Sequence, residues 1–534
     1  MIRCYIILFV FYLLISINSV FTQSINVSNG NVFDGEPFLA INPNNSQHLV
    51  VAWMSIVPFN YVSIKSKVSF NGGQTWSSEE IIPHSYTATG TISADPSLDF
   101  DNAGNLFLCY VDYNISIDSG SVNVRKSSDG GLTWGEAIEV INAHSDPGKY
   151  PIDRPWMQVD RSGSINEGNI YVTTMPPTVF GLIEPPYHPY FIHSTDGGNS
   201  FNQWRYLDTI NWLSGNIISQ PTPFSSVSNN GSFNCVYPSW IASQNLNPQF
   251  IFAKTNNSGN SFTYNSLVIP YTYLYGSNDD TLAKLSYPLL VDPTNSNHLI
   301  FLNLLKLHGD ADVFMWESYD AGISWNDSIR INDDLIGNNK LQDLIWADFD
   351  TDGDLVVSWR DRRNATDSTF LTSSEIWASV RYKDSISFYP NFRISDTIVA
   401  YDSILAYSGN DFMCIKMRND TLYSVWGDTR DGKLNIWFKK MNYSGEVISI
   451  QQLSNDKNLK INVFPNPLNN LIEIQADKII QIIIRNTNGQ QILSYKNLLK
   501  ENVVIIDMSK FSSGTYMLNV LTENGEIFKS IVKK

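Results

Sequence analysis

Ser127-Ser128-Asp129-Gly130-Gly131-Leu132-Thr133-Trp134 decides how this chain folds, because the same eight-residue pattern returns at intervals of about sixty residues. Upstream it reads Ser69-Phe70-Asn71-Gly72-Gly73-Gln74-Thr75-Trp76. Downstream it reads Ser194-Thr195-Asp196-Gly197-Gly198-Asn199-Ser200-Phe201, then Thr255-Asn256-Asn257-Ser258-Gly259-Asn260-Ser261-Phe262, then Ser318-Tyr319-Asp320-Ala321-Gly322-Ile323-Ser324-Trp325. The pattern describes a tight hairpin. Asp or Asn hydrogen-bonds backbone amides just ahead of it, Gly accepts the positive φ of the reversal, and the aromatic re-enters the next strand as a buried plug.

Around each copy lies a unit of one make: a polar opening, often with Pro, a short alternating strand, an Asn/Asp/Gly turn, and an apolar strand ending in an aromatic. The first runs from Glu36-Pro37 to Trp53. The others open at Asp95-Pro96, Arg154-Pro155, Gln220-Pro221, Tyr287-Pro288, Leu344-Ile345 and Asp411-Phe412, which makes seven units. In the sixth and seventh the repeated turn has decayed, to Tyr382-Lys383-Asp384-Ser385 and Met441-Asn442-Tyr443-Ser444-Gly445, as terminal repeats do. Four short strands per unit, with no segment of helical period, predict an all-β propeller.

The repeated turn resembles the Asp-box, or bacterial neuraminidase repeat, of sialidase-like β-propellers. The resemblance implies a sialidase-like propeller over residues 24–454, with six or seven four-stranded blades, sialidases usually having six. The strand near Ile25 to Val32 is a candidate to complete the last blade. In that family the turns sit opposite the active site, so the resemblance makes them fold staples.

Composition narrows the class. The 534 residues are 43% hydrophobic and 13% aromatic, enough for a large core and a second small domain. Lys plus Arg number 36 against 52 Asp plus Glu, a net charge of −16, which argues against a nucleic-acid partner held through phosphates. Residues 1–22 carry Arg3 and an apolar block from Tyr5 to Ile15, the pattern of a secretory signal peptide. No later stretch approaches the roughly 20 apolar residues of a spanning helix, so no transmembrane segment is expected in the mature chain. Cys109, Cys235 and Cys414, each in an apolar run, read as buried small hydrophobes rather than a disulfide framework.

The character changes after Ser454. Residues 455–459 read as a linker, and 460–534 alternate short strands with turns, which predicts a small Ig-like antiparallel β-sandwich. Pro465-Asn466-Pro467, Asn486 with Gly489-Gln490, Asp507-Met508-Ser509, Gly514 with Tyr516, and the closing Lys529 to Lys534 resemble the type A C-terminal sorting domain of type IX secretion. That resemblance implies a bacterial protein carried to the cell surface or beyond it, with the type IX machinery as partner of residues 460–534.

Chain direction sorts the faces of a propeller. If each inner strand runs downward, the Asp-boxes lie below, and the unit openings and the loops after each aromatic lie above. Sialidase-like proteins bind substrate on that upper face, which makes Glu36, Asp95, Asp112, Asp153, Arg154, Arg360, Asp361, Arg362, Asp428 and Arg430 the candidate site residues. Trp359-Arg360-Asp361-Arg362 and Trp426-Gly427-Asp428-Thr429-Arg430 look like one loop used twice. Such pairs either grip a ligand or tie one blade to the next. The family's Arg-Ile-Pro motif would fall in the first unit, where this chain has Gly35-Glu36-Pro37.

Asp348, Asp350, Asp352 and Asp354 are spaced as in a calcium loop, but Trp359 and Val356 stand where such loops want an acid. They are weak calcium candidates, and no other cofactor is expected. Three functions compete. The first is recognition of glycans or surface polymers on the upper face. The second is exo-acting hydrolysis of sialidase type, which needs Arg154, Arg360 or Arg362, and Arg430 to converge. The third is a structural adhesion or surface-layer role.

Overall fold

In the computed structural model of the chain the described residues are 23–57, 61–85, 90–149, 152–176, 188–210, 222–239, 249–272, 284, 286–402, 410–442, 461–486, 491–497, 499–522 and 525–534. The expected signal peptide, the expected linker and the unit opening at Gln220-Pro221 lie outside them. The chain forms two compact units, Met1–Val447 and Ile448–Lys534. Every regular element among the described residues is a strand, and no helix is long and apolar enough to cross a membrane.

The first unit is a propeller of seven four-stranded antiparallel blades among the described residues. The inner strands are Asp34–Asn42, Thr91–Phe100, Asp153–Val159, Phe224–Val227, Leu289–Asp292, Gln342–Phe349 and Cys414–Arg418. Each packs against the next, and the seventh packs against the first. A parallel bridge from Val62 to Ile92 also joins blades 1 and 2. Blade 7 takes its outermost strand from the start of the chain: Ile25 pairs with Phe438 and Asn26 with Trp437. The N-terminal strand therefore completes the last blade, and the number of blades equals the number of sequence units.

The second strand of a blade is covered on both faces by neighbouring blades, so in blades 1 and 2 it reads as an unbroken apolar run rather than an alternation. Leu49 to Trp53 and Leu106 to Tyr110 are buried throughout. Burying each such side chain contributes about 1.5–3 kcal/mol. Cys109 and Cys235 in second strands and Cys414 in an inner strand are free and buried, and burial raises their thiol pKa values.

The five Asp-boxes share one hydrogen-bond pattern. In blade 2 the Ser127 hydroxyl donates to Asp129 (2.8 Å) and accepts from the Gly131 amide (2.7 Å), while Asp129 accepts from the Thr133 amide (3.0 Å) and hydroxyl (2.6 Å). The same bonds recur around Asn71, Asp196, Asn257 and Asp320, except that Asn71 and Asn257 donate to the hydroxyl. The box aromatic docks on the preceding blade. Trp76 meets Phe438, Trp134 donates to Ser66, Phe262 meets Phe191 and Trp325 meets Phe252.

The second unit is a sandwich of two antiparallel sheets. Asn462–Phe464, Leu471–Gln475 and Val503–Asp507 form one, and Ile479–Asn486, Gln491–Lys496, Gly514–Thr522 and Gly525–Lys533 form the other. Ile472, Ile474, Ile482, Ile484, Leu518, Val520 and Ile531 fill the space between them. The alternating burial of Leu471–Gln475 and Val503–Asp507 is that of strands with one face in the core and one in solvent.

Candidate functional site

The central channel is built in tiers because each inner strand presents alternate residues to the axis. The upper tier holds the unit openings. Four of them share one irregularity: register shifts fall between Gly35 and Phe38, Ala94 and Ser97, Asp153 and Trp156, and Asp343 and Trp346. At each bulge a non-glycine residue has left-handed φ: Glu36 +53°, Asp95 +54°, Arg154 +49° and Leu344 +58°. Such conformations cost about 1–3 kcal/mol each and persist where the surroundings enforce them.

Charges from opposite sides of the ring meet here. Asp411 of blade 7 accepts from Arg154 of blade 3 (2.8 Å) and from Lys284 ahead of blade 5 (2.5 Å). Asp343 accepts from Arg360 through two bonds (2.8 and 2.5 Å) and from Arg362 (2.9 Å). Burial opposes ionisation of both acids, but the cations outweigh it and hold both carboxyls below the usual range. Lys284 also donates its amide to Asp343 (3.0 Å), linking the two groups.

Glu36, Asp95 and Asp153 follow one another around blades 1 to 3 as a hydrogen-bonded chain of carboxyls. Burial, followed by the neighbouring Asp411, pushes Glu36 up to about 7. Burial and the Glu36 charge push Asp95 up to about 8, and burial with Asp95 raises Asp153 well above the ordinary range. Glu36 is buried, and its Oε2 has no hydrogen-bond partner.

Directly beneath lies an aromatic tier. Trp156 packs on Phe38, Phe224, Trp346 and Phe412, with ring centroids 5.1–5.9 Å apart, and the Arg154 guanidinium stands over Phe412 at 5.7 Å. The tier draws its rings from blades 1, 3, 4, 6 and 7. A cavity of about 130 Å³ below it is lined by Gln158, Ser226, Asp348 and Lys416.

The structure thus brings together Glu36, Asp95, Asp153, Arg154, Arg360 and Arg362 of the expected residues and leaves four elsewhere. Asp361 accepts from the Trp359 indole (2.6 Å) and from Arg363, which reaches Asp333 in the connection after blade 5 and stacks on Trp377 at 4.0 Å. Asp428 accepts from the Trp426 indole (2.8 Å) and from Arg430, which reaches Asp396 in the connection after blade 6 and stacks on Trp437 at 4.2 Å. The loop is indeed used twice, as a blade-to-blade tie; in the first copy the tying arginine is Arg363, not Arg362. Asp112 is buried under blades 1 and 2, bonded to His84 (2.9 Å) and Ser93 (2.9 Å).

Sequence reading missed Asp343, Lys284 and the pairing role of Asp411. Asp343 is followed by Leu344-Ile345 instead of a Pro pair, and Lys284 stands three residues before Tyr287-Pro288, so neither falls at a motif position. Aligning the bulges rather than the prolines would have placed Asp343 beside Asp153.

The calcium spacing is divided. Asp348 binds Lys416 (3.3 Å) and Arg418 (2.9 Å), and Asp350 accepts from the amides of Asn419 and Asp420. Asp352 and Asp354 are joined by Asp420 of blade 7, with one carboxylate oxygen of each within 4.8 Å of the others. Burial and the mutual repulsion of these carboxylates raise Asp354 and Asp420. Those three oxygens are the hard donors that a divalent cation would use.

Residues 462–534 match the family model described as a secretion system C-terminal sorting domain. The tail is a sorting domain. It directs the protein through type IX secretion to the cell surface or the medium. No curated protein matches the chain. Among solved structures the chain is similar to the GH93 alpha-L-arabinofuranosidase of Fusarium graminearum, at 13% identity over 79% of this chain and 98% of that one, with a TM-score of 0.41. It is similar to the phage phi92 endosialidase at 12% identity over 96% and 87%, with a TM-score of 0.43. A Trypanosoma rangeli sialidase follows at 10% identity over 95% and 86%, with a TM-score of 0.36.

Proposed function

We propose that this exported propeller recognises glycans at the upper mouth of its central channel. The observation that carries the reading is the convergence of Arg154, Lys284 and Asp411 from three blades, beside the Glu36, Asp95 and Asp153 carboxyl chain and over an aromatic tier. Fixed donors and acceptors of this density suit a polyhydroxylated ligand, whose hydroxyls both donate and accept. Strained, left-handed backbone, as at Glu36 and Asp95, clusters at binding sites more than in packing alone, which supports this reading over a purely structural one. The test is binding of the intact protein to an array of neutral and acidic glycans, with Arg154→Ala and Asp411→Asn as paired variants. Saccharide binding lost in both variants supports the reading. A folded protein that binds no glycan, or binds equally in both variants, overturns it.

A second reading, glycoside hydrolysis, is favoured by the divergence of the carboxyls. Asp95 is held protonated near neutrality while Asp411 is held ionised, the split that an acid and its partner carboxylate require. The sialidase version of this reading requires Arg430, which is committed to Asp428 and Asp396, and Arg360 and Arg362, which are committed to Asp343. Hydrolysis would therefore act on a glycoside that needs no three-arginine grip. Turnover of fluorogenic glycosides that vanishes in Asp95→Asn would establish it.

A further inference from the structure

The blades supply their own controls. At four seams the second glycine of the Asp-box lies hard against the preceding blade. A methyl group built on Gly73 would stand 2.3 Å from Phe438, on Gly131 3.0 Å from Val50, on Gly198 3.0 Å from Phe107, and on Gly259 2.2 Å from Phe191. In blade 5 the same methyl on Gly322 would meet nothing nearer than 3.6 Å, and that atom belongs to Leu299 of its own blade. The seam between blades 4 and 5 is open. It holds a cavity of about 190 Å³, lined among others by Asn234, Phe252, Lys254, Thr263, Asn265 and Ile323.

A second departure falls at the same place. The residue before each box faces a cross-strand partner in the second strand of its blade. In blade 2, Lys126 faces Phe107 and sits over its ring at 5.4 Å; in blade 7, Lys440 faces Tyr423 and sits over its ring at 5.1 Å. In blade 3, His193 faces Tyr171. In blades 1, 5 and 6 the opposed residues are Val50, Ile300 and Leu355, so blade 4, where Lys254 faces Asn234, alone places a polar residue there. The ring that would fill this space and satisfy the ammonium is missing. Asn234 turns its amide to Ser228 and Ser232. Lys254 makes no ion pair among the described residues, and burial alone lowers its pKa.

A half-buried ammonium with neither a carboxylate nor a ring, lining a cavity in a chain of net charge −16, is placed to take a counter-charge from outside. We propose that the seam between blades 4 and 5 binds a compact anion, one oxyanion group carried on a body about the size of a single sugar unit. Lys254 would pair with the oxyanion. The side chains of Thr263 and Asn265 supply hydrogen-bonding groups, and Phe252 and Ile323 supply apolar wall. This site lies among the Asp-boxes, away from the channel mouth, and does not depend on the function proposed for that mouth.

The test is calorimetric titration of the intact protein with glucuronate, inorganic sulfate and glucose, repeated on Lys254→Met and Asn234→Phe. Wild-type protein is expected to bind glucuronate or sulfate in preference to glucose. Glucuronate alone would mark a carboxylate ligand, and sulfate alone a sulfate ester. Lys254→Met should weaken the anion at least tenfold. Asn234→Phe, which restores the pairing of blade 2, should abolish binding while leaving the melting temperature within a few degrees of wild type. If Asn234→Phe does not fold, Lys254→Met still decides. Absence of binding by either anion, or anion binding unchanged in Lys254→Met, would overturn the proposal.

Discussion

At the scale of single residues, buried titratable groups govern how the protein responds to pH. Glu36 titrates at about 7 in the folded chain because burial, and then Asp411, oppose its charge. An acid whose pKa is raised by folding binds protons more tightly in the native state, so stability declines as pH rises from the ordinary glutamate value, about 4.3, through the folded value. Glu36→Gln should therefore flatten the fall of the urea midpoint between pH 5 and 8. His298 works in the same direction by a different cause. Burial lowers its pKa, but hydrogen bonds to Asp292 (2.9 Å) and Glu317 (2.9 Å) outweigh this and raise it. Its stabilisation is complete below about 6.5 and is lost as pH rises through the folded value. His298→Asn should cost about 1–3 kcal/mol at pH 6 and less at pH 9, measured by urea denaturation. Of these groups Glu36 was visible in the sequence, because a polar-Pro pair marks the unit opening. The His298 network was not, since its partners come from a hairpin and a third strand that no motif connects.

Blades obey the turn chemistry that the repeat announced. All five boxes make the hydrogen bonds their spacing implies, while the box aromatics, expected as buried plugs in the next strand, are half-buried and lie outside the strands. Asp129→Ala removes an acceptor used by Ser127 and Thr133 and should cost about 1–2 kcal/mol. Asp384→Ala, in the decayed turn of blade 6, should stay within about 0.5 kcal/mol. Gly259→Ala is expected to be worse than either, because its φ is +84° and the new methyl would strike Phe191. Thermal unfolding of the three variants side by side checks the order. What the repeat could not convey is which paired charges serve the fold. Asp361 and Asp428 look like site residues in one dimension. Each is a tie because a tryptophan one strand away lets an arginine stack outward, a relation that exists only once the sheet has formed.

The whole molecule depends on a closure that sequence order conceals. The first strand and the last three share blade 7, so the ends of the propeller segment hold the ring shut. Deleting residues 23–29 should lower the melting temperature by at least several degrees and broaden the transition, while deleting residues 462–534 should leave propeller melting unchanged and stop delivery to the cell surface. The seven units were legible from pattern and spacing, and the exported tail from its resemblance to a sorting domain. The site was legible only in part, since Arg154 and Asp411 are 257 residues apart in the chain and meet only because the ring closes. Whether a glycan engages that meeting point is read by hydrogen–deuterium exchange of the intact protein with and without its tightest array glycan. Added protection is expected at residues 34–38, 93–97, 153–157 and 410–414, with none in the five Asp-box hairpins. Protection confined to those hairpins, with the inner-strand openings unchanged, would contradict such engagement.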